Sequence, residues 1–401
     1  QAGGVLSIPA GASLDMTNPA GVFSWIDGTI GGAGSLNFAN GSTFNFSGTG
    51  DRVIDGLNFS FSNLVLPNGS LTLRSGSLSL NGTTTLPAGV DLNLEGGTLT
   101  NNGPMSVAGN FSLSGGAFGG NGALSMNGGS LSLPSTNTVA WTNTGALTNT
   151  GTLSLAGTTI TNAIDNQGTI NLGTGLTFGQ AVTNSGTLVA NSGSSTVFSG
   201  GLTQTNGGTL QLNGGGVNGN VSISNGMITG TGTITGDLVV GTATLAPGFS
   251  PGAITVTGNL VMNTSSVLNV ELGGLTQGTQ YDWINVQGAA NLAGTLNVTS
   301  YNGYVPTTGS EYTFLNFASR VGDFNTVNLN TLSGLSVVAS AGWLKLVQGS
   351  TAAATAALTQ TLQTNPVLVI EDRLDTAVDA AVQLKPEPTP AKDQPDVEVC
   401  P

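Results

Sequence analysis

The chain has 401 residues with no His, one Cys and 63 Gly, and its 7 basic and 20 acidic residues give a net charge of −13. So few Lys and Arg cannot build a phosphate-neutralising surface, so no nucleic-acid partner is expected, and the lack of His removes His-based catalysis. One thiol excludes a disulfide framework and the common Cys/His zinc sites, while an apolar fraction of 38% is too high for a disordered chain.

The glycine has no every-third-residue period, which excludes collagen. Composition divides the chain into a long, nearly uncharged body, residues 1–350, and a short acidic tail, residues 351–401, that holds 8 of the acids. No apolar run reaches the roughly 18 residues of a membrane span, and Gln1-Ala2-Gly3-Gly4 lacks the character of a signal peptide. If the protein is exported, its signal has been removed.

In chain order, the first expected element is a strand through Val5, Leu6 and Ile8, with no charged residue to protect its edge. Asp51, Arg52 and Asp55 then form the densest charged constellation of the body. It offers a cation or sugar contact, but a solvated ion-pair turn is the simpler expectation. Asp91 and Glu95 are read as loop or surface groups.

From about residue 70 to 240 one phrase recurs, with Asn or Ser, then Gly, then Thr or Ser, then an alternating apolar stretch. Asn149-Thr150-Gly151-Thr152-Leu153, Asn166-Gln167-Gly168-Thr169-Ile170 and Asn184-Ser185-Gly186-Thr187-Leu188 show it plainly. Glycines 151, 168, 186, 208 and 226 are spaced by 17, 18, 22 and 18 residues, the period of a solenoid. Within each unit Leu71-Thr72-Leu73, Leu78-Ser79-Leu80 and Leu131-Ser132-Leu133 alternate with period two, which predicts strands. The Asn-Gly and Gly-Gly pairs between strands are expected to supply positive backbone angles at turns, and outward Ser, Thr and Asn to satisfy one another. The predicted fold is all-β, a parallel β-helix of about 20 residues per rung, with a narrow core of Leu, Val, Ile and Ala.

Thr229, Thr231, Thr233 and Thr235 form a Thr row of the kind that binds ice on flat solenoids, although Thr is also simply a favoured small strand former. A calcium β-roll is a poor fit, because Asp does not recur in every unit. No cofactor or metal is expected. Asn-x-Ser/Thr sequons are frequent, Asn58, Asn110 and Asn297 among them.

Leu245-Ala246-Pro247-Gly248-Phe249-Ser250-Pro251-Gly252 through Leu260 resembles the LAPG-x-SPG phrase of autotransporter passengers and filamentous-haemagglutinin-like exoproteins. Tyr281-Asp282-Trp283-Ile284-Asn285-Val286 and Leu292-Ala293-Gly294-Thr295-Leu296 are similar to the segments that follow it there. Tyr312-Thr313-Phe314-Leu315 and Phe324-Asn325-Thr326-Val327 match the strand pair that comes next, and Phe23-Ser24-Trp25 through Leu36 resembles an earlier repeat. The likeness spans most of residues 20–350, with residues 245–350 as the passenger-like C-terminal rungs. It implies a right-handed β-helix exported to the bacterial surface for adhesion, aggregation or matrix building. This sequence carries neither the translocator barrel after residue 350 nor the Asn-Pro-Asn-Gly secretion domain of that pattern, so a processed mature form, a fragment and a member of a related but separate fibre family are all open expectations.

In the tail an Ala/Thr spacer leads to an apolar run, Val367, Leu368, Val369 and Ile370. Ile370, Leu374 and Val378 share one face of an amphipathic helix predicted over 370–384. Cys400 is either an intermolecular disulfide partner or an idle thiol. Solenoid ends need capping or pairing, so head-to-tail homopolymerisation through Val5, Leu6, Ile8 and the tail is expected, with a tail folded back on its own rod as the alternative. The function expected from these features is a non-enzymatic extracellular fibre or adhesin rod. The alternatives are a monomeric adhesin that binds glycans or a cell-surface receptor, and a β-helical polysaccharide-active enzyme.

Overall fold

A computed structural model describes residues 3–349, apart from Pro19, residues 39–42, residues 135–138 and Thr331. Among these residues there are strands but no helix, and the chain winds into parallel coils of about 21 residues each. The predicted tail strand and helix, with Val367, Leu368, Val369, Ile370, Leu374, Val378 and Cys400, lie outside the described residues.

Each coil contributes three strands to three parallel ladders. The first coil shows the plan in Val5–Ile8, Ser13–Met16 and Val22–Trp25, which pair with Gly28–Gly32, Ser35–Phe38 and Thr43–Phe46 of the next. Along the first ladder Thr152 pairs with Thr169, Thr169 with Thr187, and Thr187 with Thr209, so the repeat read from the sequence is one coil. The coils lengthen near the end of the rod. Asn297 follows its partner Asn269 by 28 residues, and Asn328 follows Asn297 by 31. The two sequence-matched strands there do form, but in different ladders: Glu311–Asn316 pairs with Trp283–Val286, and Thr326–Asn328 with Thr295–Ser300.

Period-two alternation turns one side chain in two inward, and these fill one continuous core that includes Leu71, Leu78, Leu131, Leu153 and Ile170. Aromatics are few but concentrated in that core, a point composition does not reveal. Trp25 stacks on Phe59, Phe59 on Phe61, and Phe118 lies between Phe111 and Trp141.

The recurring phrase uses its glycines in two ways, and only one of them is the expected one. Gly151, Gly168, Gly186 and Gly208 do not have positive φ. A Cβ on Gly168 would instead collide with the carbonyl oxygen of Gly151, and one on Gly186 with that of Gly168. Each of these carbonyls accepts the amide of the next coil, from Thr169 to Gly151 and from Thr187 to Gly168, at 2.9 and 2.8 Å. Glycine is required because successive coils approach too closely for any side chain. Gly76, Gly97, Gly128, Gly207 and Gly226, with φ between 69° and 107°, do supply the positive backbone angles expected at turns.

The Asn two residues before Gly151, Gly168 and Gly186 points inward. Asn149 donates to Oδ1 of Asn166, and Asn166 to Oδ1 of Asn184, both at 2.7 Å, and Asn184 donates to Oε1 of Gln204 at 3.4 Å. All four side chains are fully buried. The ladder also takes up carbonyls of the corner, such as those of Gly151 and Thr169 from Asn149. A second buried set joins Trp141, Asn162 and Asn143. Outward ladders are the ones expected, for example Asp91, Asn110 and Ser130.

Candidate functional site

Of the residues expected to mediate assembly, Val5 and Leu6 are exposed by 70% and 36%, while Ile8 is buried in the core. Their strand pairs on one side only, with Gly28–Gly32, and its outer edge has no strand partner among the described residues. Val22, on another face of the same coil, is exposed by 59%. At the opposite end Ser319–Gly322 and Thr326–Asn328 likewise pair on one side, and Val321 is exposed by 67%. The third face is continued by an antiparallel hairpin, Leu335–Ala339 and Trp343–Gln348, laid against Glu311–Asn316. The hairpin is held partly by Lys345, which reaches Glu311 at 2.9 Å and lies over the Trp343 ring.

The constellation at Asp51 is not a solvated ion-pair turn. Arg52 is fully buried and donates to the carbonyls of Trp25, Ser47, Gly48, Asn68 and Ser70, with its guanidinium near the Phe46 ring. Its planar fork of N–H groups ties together the carbonyls of one corner, of which that of Trp25 also accepts the Ser47 amide. Burial lowers its pKa, against the opposing charges of Asp27 and Asp51. Asp51 and Asp55 instead accept from Ser70 and Ser75 of the next coil, at 2.7 and 2.6 Å. Arg52 is therefore a core residue. Arg74 and Glu95 form an exposed ion pair, in keeping with the surface role expected of Glu95.

The Thr row is not a flat outward lattice either. The Thr229 hydroxyl donates to the Gly248 carbonyl at 2.8 Å, and that of Thr231 accepts from the Ala253 amide. Two of its hydroxyls thus anchor the neighbouring loop.

A groove of about 470 Å³ lies along the first ladder near the long coils, where sequence reasoning placed no site. Its floor is made by Thr229, Asn269, Glu271, Asn297 and Thr299, and Pro247–Phe249 stands along it as a wall. The wall is the LAPG-x-SPG loop. It is fixed by paired backbone hydrogen bonds between Gly230 and Gly248 and by Asp282, whose Oδ1 accepts from the Gly252 amide at 2.7 Å. Oδ2 of Asp282 accepts from the Glu271 amide at 2.8 Å. The two family-like phrases are thus clasped together in space by one carboxyl.

Asp282 is almost fully buried, and burial pushes its pKa up to about 8 despite the two amide donors. Burial also raises the pKa of Glu271. Because both oxygens of Asp282 are occupied, Glu271 is the carboxylate left facing the groove. Asn297 donates to Asn269 at 3.1 Å and Asn328 to Asn297 at 2.9 Å, which leaves the Asn269 amide nitrogen toward the groove. Phe249 is exposed by 63% at the rim. The signal that sequence reading missed was spacing, since Glu271 and Asp282 are joined by a loop that only coil stacking folds back. Among the described residues no group of three His, Cys, Asp or Glu gathers as a metal site, and no helix is long and apolar enough to cross a membrane.

Comparison of the whole chain with protein-family models gives no match, and no curated protein matches it.

Proposed function

We propose that this is an extracellular structural protein of the bacterial surface, a β-solenoid rod that joins copies of itself into fibres or matrix and mediates adhesion. The observation that supports assembly most directly is the state of the two end coils. Both carry strand edges without a partner among the described residues, and both present apolar side chains there, Val5 and Val22 at one end and Val321 at the other. Unpaired parallel edges are templates for another chain, and burying Val side chains adds a hydrophobic gain of roughly 1.5–3 kcal/mol each. The hairpin on one face leaves the other two faces open to continuation, and in this proposal the tail, residues 351–401, contacts the neighbouring copy. The resemblance to exported passengers supports the location.

The test is negative-stain microscopy and sedimentation of the full chain, of a variant lacking residues 351–401, and of Val5→Lys/Val22→Lys. Filaments of uniform width that shorten or vanish in both variants are expected. A monomeric sedimentation profile for the full chain, unchanged by the deletion, overturns the assembly reading. A monomeric adhesin that binds glycans is a second reading, favoured by the groove beside Glu271.

A further inference from the structure

We propose that the groove between Pro247–Phe249 and the Asn269–Thr299 floor is a binding site for a neutral glycan chain lying along the rod axis. This deepens the adhesive part of the proposed function and does not depend on self-assembly. Three features converge on that ligand class. Phe249 presents an exposed ring at the rim, a surface on which the C–H face of a pyranose stacks. Glu271 is half-buried with no hydrogen-bonded partner for its carboxylate among the described residues, so its two oxygens are open to a pair of neighbouring sugar hydroxyls. Asn269 and Thr299 place an amide and a hydroxyl on the same floor, so donors and acceptors alternate as hydroxyls require.

The shape agrees with the chemistry. Thr229, Asn269 and Asn297 belong to different coils of one ladder, and coils are spaced by about 4.8 Å, so the floor extends on the order of 15 Å along the rod. That length takes a short oligosaccharide, not a single ring. Charge narrows the class further. Glu271 lies in the groove and the chain carries −13, so uronic-acid and sulfated chains are repelled. One open carboxylate is too few for a tight calcium site, which takes six to eight oxygens with several carboxylates. The clasp by Asp282 fixes the wall, so the site is preorganised.

The test uses the full chain with three probes, cellohexaose, maltohexaose and a hyaluronan hexasaccharide, followed by saturation-transfer NMR and calorimetry at millimolar ligand. Binding of at least one neutral hexasaccharide, with hyaluronan weaker, is expected. Phe249→Ala and Glu271→Gln should each weaken that binding by about tenfold, with thermal unfolding unchanged because both side chains are outside the core. Failure of both neutral probes to bind overturns the proposal, and so does wild-type binding by Phe249→Ala. Microscopy of the same samples reports on assembly separately, so filaments without glycan binding refute this site alone.

Discussion

Truncating Asn166 to Ala tests whether the inward Asn ladder holds the coils together. In the folded chain the Asn166 side chain accepts from Asn149 and donates to Asn184, both at 2.7 Å, with longer contacts to the carbonyls of Gly168 and Thr187. Alanine removes two good amide–amide bonds, each worth about 1 kcal/mol net. It also strips Oδ1 of Asn184 of its donor in a site closed to water, at a further 1–3 kcal/mol or so, and leaves a small cavity. Asn149 retains the carbonyls of Gly151 and Thr169, so its end of the ladder is less affected. The expected loss is about 3–5 kcal/mol, concentrated in the coils around Asn149, Asn166 and Asn184. Solenoids open coil by coil, so the assay is amide hydrogen exchange over residues 147–212, with urea unfolding as a global check. Asn110→Ala is the control, because that Asn bridges Asp91 and Ser130 on the solvent side, where water replaces it at a cost within about 1 kcal/mol. Equal effects of the two substitutions refute the argument that the buried ladder is a structural spine.

Two other outcomes follow from the same geometry. Gly168→Ala should destabilise the stack by about 2–4 kcal/mol, because its Cβ meets the Gly151 carbonyl that is hydrogen-bonded to Thr169; Gly193→Ala, with open space around its Cβ, should cost only about 1 kcal/mol through its positive φ. Denaturation of both variants under one condition checks the ranking. Asp282 holds its proton in the folded chain up to about pH 8, whereas unfolded Asp releases it near pH 4. Its contribution is therefore complete below about pH 4 and is lost as pH rises to about 8, amounting to several kcal/mol. The stability difference between the wild type and Asp282→Asn, measured across that window, should shrink steadily toward high pH.

Much of the rod is legible in the chain itself. Period-two Leu-x-Leu segments fix which side chains turn inward, and the spacing of Gly151, Gly168 and Gly186 fixes the coil length. The same residues mislead about causes. Gly151, Gly168 and Gly186 read as turn formers like the Asn-Gly pairs, because local geometry is all that a sequence window reports, whereas they answer to a carbonyl one coil away. Arg52 reads as a surface charge because Asp51 and Asp55 flank it, yet in a strand its neighbours face outward while it faces the core and five carbonyls. The groove was hidden for a similar reason, since Asn269 and Asn297 of its floor sit 28 residues apart and become neighbours only through ladder register.

The sequence by itself determined the period, the all-β character and the near-absence of charge on the body, because alternation and turn spacing are local properties of the chain. Only the tertiary structure decided what the repeated Asn and Gly are for, where Arg52 goes and which carboxylate remains open beside Phe249. Those outcomes depend on contacts between coils, and a contact across one full turn is set by the register of stacking, which no stretch of neighbouring residues encodes alone.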